Sequence, residues 1–134
     1  MKTAILVDGG FYNKKMAFYR GRQPAKESAD YLFEYCSKHL EENGIKSDLY
    51  RIFYYDCPPF KDKLHHPLTK QLIDFSSTPK YEWTTAFINE LKNKRKVAIR
   101  LGYLSNKGFS LKEQSAKKLL DGKFRLEDLS EPNF

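Results

Sequence analysis

The run Ala4-Ile5-Leu6-Val7 leads directly into Asp8-Gly9-Gly10. A run with no polar position has no face to offer water, so as a strand it must be covered on both sides. That is the pattern of an interior strand in a parallel α/β sheet. Ligands of such sheets bind beyond the carboxyl ends of the strands. Asp8 falls at that end, beside glycines that let backbone and ligand approach. Two readings stay open. An acid there can hold a divalent metal, and Asp-Gly is also a common turn pair.

The rest of the chain alternates between the two periods. Strand signals cover Thr3 to Val7, Leu49 to Tyr55 and Val97 to Leu104. A first helical turn or two is expected around Asn13 to Tyr19, then a polar break over Arg20 to Pro24. Ala25 to Glu42 reads as a helix, because Ala29, Leu32, Phe33, Cys36 and Leu40 share one face. Asn43-Gly44 is its expected stop, and Pro58-Pro59 ends the second strand. Phe60 to Ser77 is a polar, basic connection with one short helix after Pro67. Thr78-Pro79 starts a helix whose Trp83, Phe87 and Leu91 recur every turn. Ser110-Leu111-Lys112-Glu113 has the capping-box pattern for a helix through Leu120, and Gly122 ends it. The order β-α-β-α-β-α predicts a three-layer α/β domain with a mostly parallel sheet and its first two strands adjacent.

With 134 residues the chain is long enough for one domain with a real core. Its net charge of +7 admits an acidic partner, nucleic acid first, or simply a soluble basic surface. Cys36 and Cys57 give neither metal spacing nor a disulfide framework, and Cys36 lies on an apolar helical stripe. No apolar run approaches a membrane span and no charged-then-apolar leader precedes the first strand, so the cytoplasm is the default expectation.

Asp8-Gly9 closing the first strand is followed by the basic aromatic Phe11-Tyr12-Asn13-Lys14-Lys15. Arg51-Ile52-Phe53-Tyr54-Tyr55-Asp56 closes the second, and Arg95-Lys96-Val97-Ala98-Ile99-Arg100-Leu101-Gly102 comes later. Together and in this order they resemble the NYN domain family, a bacterial LabA-like branch of the PIN-like ribonuclease superfamily. The resemblance covers nearly the whole chain, 1–134, as a single domain. It implies a PIN-like (Rossmannoid), mostly parallel sheet flanked by helices, and a metal-dependent RNase chemistry using Mg²⁺ or Mn²⁺. Asp8 matches the family's first-strand acid and is the implied catalytic and metal-binding residue, with Asp56 as a second ligand. Asp56 also suits a simpler role, capping the Cys57-Pro58-Pro59 turn. The family often carries Asn three residues after the first Asp. Phe11 stands there, and Asn13 comes two later.

The family's further acids lie in a Gln-Lys-Gly-Val-Asp type segment and a Ser-Gly-Asp-x-Asp-Phe type segment, and this sequence has neither. Two-metal hydrolysis needs several carboxylates, and Mg²⁺ held by one or two keeps most of its waters. The sequence therefore reads as the N-terminal portion of an RNA-processing NYN domain, truncated and inactive alone. The alternatives are a non-catalytic RNA-binding or interaction module, or half of an assembly completed by a second chain. In the PIN-like order the first strand is interior. Without the later strands one of its edges is open, which predicts a homo-oligomer or a partner chain covering that edge.

RNA is the expected ligand. Asn13, Lys14, Lys15, Arg20 and Tyr54 are its candidate contacts, with Arg22 and Lys26 extending the basic run near Asp8. Tyr54 and Tyr55 face opposite sides of a strand, so one is available to stack and the other is core. Lys92, Lys94, Arg95, Lys96 and Arg100 form a second basic run, which also suits a solvated helix end. His65-His66 and His39 have no Cys or acid at ligand spacing. There is no Ser-His-Asp set, P-loop or GxGxxG.

Overall fold

In a computed structural model that describes all 134 residues, the apolar run becomes strand β1 (Lys2–Asp8). Helices α1 (Gly9–Arg20) and α2 (Ala25–Lys38) follow. Two short strands, β2 (Glu41–Glu42) and β3 (Ile45–Lys46), precede β4 (Asp48–Asp56). The chain then forms β5 (Lys63–His65), β6 (Leu72–Asp74), α3 (Pro79–Lys92), β7 (Val97–Leu101) and α4 (Glu113–Leu120). It divides into two compact units, Met1–Phe60 with Pro79–Leu104, and Lys61–Thr78 with Ser105–Phe134.

The first unit is built on a three-stranded sheet in the order β1-β4-β7, parallel throughout. The register sorts its side chains into rows. Ile5, Ile52 and Val97 share one row, and Val7, Tyr54 and Ile99 the next, on one face. Leu6, Phe53 and Ala98, then Asp8, Tyr55 and Arg100, form the corresponding rows on the other face.

Only the first face is covered. Val7, Ile52 and Tyr54 form a buried cluster with Ala29, Leu32 and Cys36 of α2 and Phe87 and Leu91 of α3. Burial pushes the Cys36 thiol up to about 11, in keeping with its place in the core. Trp83 stacks on Phe87 with ring centroids 5.0 Å apart and donates its indole N–H to the Gln23 carbonyl at 2.7 Å. On the other face Leu6 remains 66% exposed. The expected three layers are therefore two within this unit. The strand order explains it, because two successive right-handed crossovers moving the same way across a sheet lay their helices on the same side. A second helical layer needs a reversal of direction, and β1-β4-β7 has none.

Other elements depart from expectation for local reasons. α2 stops at Lys38, because Asn43 and Gly44 turn a two-residue hairpin between β2 and β3 instead of ending the helix. Their φ values of 53° and 77° are the left-handed conformations a type I′ turn needs. β7 ends at Leu101 and pairs parallel with β4.

The second unit holds the β5–β6 antiparallel hairpin and α4. That hairpin occupies the connection where one short helix after Pro67 is expected. The capping box at Ser110 does not form, since α4 opens only at Glu113 and Lys112 caps it without a side-chain bond. His66 is buried between the rings of Phe109 and Phe134. Its Nδ1 accepts from the Leu68 N–H at 3.1 Å, so the other nitrogen carries the proton and donates to the Glu131 carbonyl at 3.1 Å.

Candidate functional site

Asp8 and Asp56 terminate neighbouring parallel strands and line one open cleft of about 940 Å³. Each is first a structural acid. The Asp8 carboxylate caps α1, accepting from the Phe11 N–H at 3.2 Å. Asp56 accepts from the Cys57 N–H at 2.8 Å through Oδ1 and from the Tyr54 hydroxyl at 2.9 Å through Oδ2. Asn13 Nδ2 in turn donates to the Tyr54 oxygen at 2.9 Å. Burial, reinforced by the Asp56 charge, pushes the Tyr54 phenol well above its ordinary range, so it stays a neutral donor.

The first glycine has a purpose that sequence position alone does not reveal. A Cβ on Gly9 would lie 2.4 Å from Tyr54 Cζ and 2.9 Å from Asp56 Oδ2. Gly9 thus makes room for the chain's own tyrosine and acid rather than for a ligand. Gly10 lines the cleft, and a Cβ there would meet nothing closer than Asp8 Oδ1 at 3.7 Å.

The cleft also contains Leu6, Tyr55, Cys57 and Arg100. Tyr55 is 44% exposed and Arg100 is exposed one row-position away. The Arg100 guanidinium lies 5.7 Å from the Phe53 ring centroid. Two carboxylates, one guanidinium and an exposed phenol ring therefore meet at the strand ends. Asp8 and Asp56 are the residues there that could hold a divalent cation. No group of three or more His, Cys, Asp or Glu side chains gathers anywhere in the chain. Asp8 belongs to the open-face row and both Asp56 oxygens already accept hydrogen bonds, and two carboxylates are too few for a pair of ions that clamps attacking and leaving oxygens.

The predicted nucleic-acid contacts separate. Tyr54 has 0% exposure and cannot stack on a base. The tyrosine available for that is Tyr55, the other member of the pair. Asn13 turns inward to Tyr54 and serves the network. Lys14, Lys15 and Arg20 are exposed on α1, where Phe11, Phe18 and Tyr19 are exposed too. Lys15 Nζ sits 5.5 Å from the Phe11 ring centroid. Arg20 closes the far end of the helix, roughly 15 Å along it from Gly10, with its guanidinium 3.7 Å from the Tyr31 centroid. It lies away from Asp8 rather than beside it. The sequence offers Tyr55 only as one of a pair with Tyr54, and Arg100 only as part of a basic run that suits a solvated helix end; the register sets both beside Asp8. Counting alternate positions in strands that end at Asp8 and Asp56 would have placed both in the Asp8 row.

The chain matches no protein-family model, no curated protein and no solved structure.

Proposed function

We propose that this chain is a single-stranded RNA-binding α/β module of NYN, PIN-like type whose strand-end cleft retains part of a metal-dependent ribonuclease centre and does not cleave RNA by itself. The observation that carries the reading is the cleft, where Asp8 and Asp56 end adjacent parallel strands beside the exposed Tyr55 and Arg100. Tyr55 offers a ring for base stacking, and Arg100 and Lys14 offer cations for phosphates. Asp8 and Asp56 are the residues that would hold a Mg²⁺ or Mn²⁺ ion, which would supply positive charge for a phosphate at the cleft. Asp56 is kept in place by Tyr54 and the Cys57 N–H, and Asp8 by its cap on α1. Two free cysteines suit a reducing compartment, and no helix is long and apolar enough to cross a membrane. The cytoplasm is the compartment this reading assigns.

Fluorescence anisotropy with a labelled single-stranded RNA, and gel analysis of the same RNA in Mg²⁺ and Mn²⁺, test it. Binding should weaken as salt rises, with no cleavage above a chain-free control. Reversing Lys14 and Lys15 to Glu should weaken binding more than reversing Lys117 and Lys118. Cleavage abolished by Asp8→Asn would overturn the non-cleaving part of the reading. Binding indifferent to salt would overturn the RNA part.

A further inference from the structure

We propose that β1 pairs antiparallel with β1 of a second copy of this chain, about a two-fold axis at Ile5, so that two three-stranded sheets become one continuous sheet. β1 is an edge strand, bonded to β4 on one side and to no strand on the other. Over its seven residues Ala4 and Leu6 are exposed, there is no proline and no inward charge, the extra residue of the register shift at Thr3/Ala4 lies in β4, and the only charges, Lys2 and Asp8, sit at the two ends.

Backbone direction limits the possible registers. The Met1 carbonyl accepts from the Asp48 N–H at 2.9 Å, so it points toward β4. Backbone groups alternate along a strand. Those of Lys2, Ala4 and Leu6 therefore point to the free side. An antiparallel neighbour must pair even-numbered residues with even-numbered residues, which leaves few alignments. Charge then selects among them. Pairing Ala4 with Leu6 of the second copy sets Lys2 opposite Asp8 of the second copy at both ends of the ladder, and Ile5 opposite itself. Sliding by one pair either way removes these contacts and sets Lys2 against Leu6 or Asp8 against Ala4. All four residues, Lys2, Ala4, Leu6 and Asp8, lie on the open face, so the pairing also joins the two exposed apolar strips. About four backbone hydrogen bonds form across Ala4 and Leu6. A C2 interface of this kind is closed and does not propagate.

The pairing has a consequence at the cleft. The second copy's Lys2 stands beside Asp8, one of whose oxygens already accepts from Phe11. The partner thus supplies a cation to the strand-end row that holds Tyr55 and Arg100. This inference is independent of whether RNA is the ligand.

Sedimentation velocity on the full chain from low to high micromolar concentration tests it. The wild-type chain should form a dimer. Ala4→Pro removes an N–H that points to the free side and no bond to β4, so it should shift the chain to monomer. Lys2→Asp and Asp8→Lys, each alone, set like charges opposite each other and should raise the dimer dissociation constant about tenfold. Mixing those two variants restores opposite charges at both ends, so a heterodimer should form where neither variant dimerises alone. Circular dichroism checks that each variant is folded. A wild-type chain that stays monomeric throughout, or a mixture of the two charge variants no more associated than either alone, would overturn the proposal.

Discussion

Tyr54 and Tyr55 are neighbours in one strand and belong to different regions of the molecule. Tyr54 lies in the covered face among Val7, Leu32 and Phe87, its hydroxyl tied to Asn13 and Asp56. Tyr55 lies on the open face between Asp8 and Arg100 with nearly half its surface in water. The covered face accounts for the core of the first unit. The open face contributes little burial and carries the exposed groups that can meet a ligand. The same sheet thus separates its packed side chains from its exposed ones by their alternation. Both sides converge at the strand ends, where the buried Tyr54 reaches Asp56 and so holds one wall of the cleft from behind.

The largest effect expected from this division is in the tyrosine pair. Tyr54→Ala empties a fully buried site against Phe87 and Leu32, and should cost about 3–5 kcal/mol in urea denaturation. Tyr55→Ala should change stability by no more than about 0.5 kcal/mol. Comparable losses from the two would break the division into a packed and an open face.

The glycine pair sharpens the same contrast over one peptide bond. Gly9→Ala drives a Cβ into the Tyr54 ring and should cost about 1–3 kcal/mol. Gly10→Ala meets no close neighbour and should be neutral or stabilising by up to about 1 kcal/mol, since alanine suits the first turn of α1 better. Equal thermal shifts in the two variants would mean that Gly9 is not packed on Tyr54.

A smaller effect isolates the Tyr54 hydroxyl. Tyr54→Phe keeps the ring and removes one partner each from Asp56 and Asn13, a loss of about 1–2 kcal/mol. It should also alter the alkaline limb of stability. The phenol's value is raised in the folded chain, so above the ordinary value of 10.0 the unfolded chain releases this proton and the folded chain does not. The stabilising effect of keeping it neutral is complete below that pH and declines as pH rises past it. The wild-type chain should therefore lose stability above pH 10 more steeply than Tyr54→Phe. Parallel curves would show that the hydroxyl titrates freely.

Much of this was legible in the residues. The apolar Ala4–Val7 run fixed a parallel strand, and the helical stripe of Ala29, Leu32 and Cys36 fixed the face that α2 buries. Asp8 and Asp56 at neighbouring strand ends follow from the apolar runs that precede them. What the residues concealed has physical causes. Asn43-Gly44 serves both helix stops and hairpin turns, because both need a left-handed backbone. The β5 and β6 strands are three residues each, too short for periodicity to register. An all-apolar strand implies two covered faces, yet Leu6 stands exposed, because the strand order places the helices on one side. The Asn13–Tyr54–Asp56 chain spans about forty residues of sequence. No local pattern encodes such a contact.

The reading we propose places RNA on the open face at the strand ends and not on the basic surface at large. Fluorescence anisotropy with one labelled single-stranded RNA at fixed salt compares the wild-type chain, Tyr55→Ala with Arg100→Ala, and Lys117→Ala with Lys118→Ala. Loss of one stacking ring and one phosphate cation should weaken binding at least about tenfold in the Tyr55/Arg100 variant, while the α4 variant stays within about twofold of wild type. Equal losses from the two double variants, or none from the Tyr55/Arg100 pair, would contradict the assignment of this face.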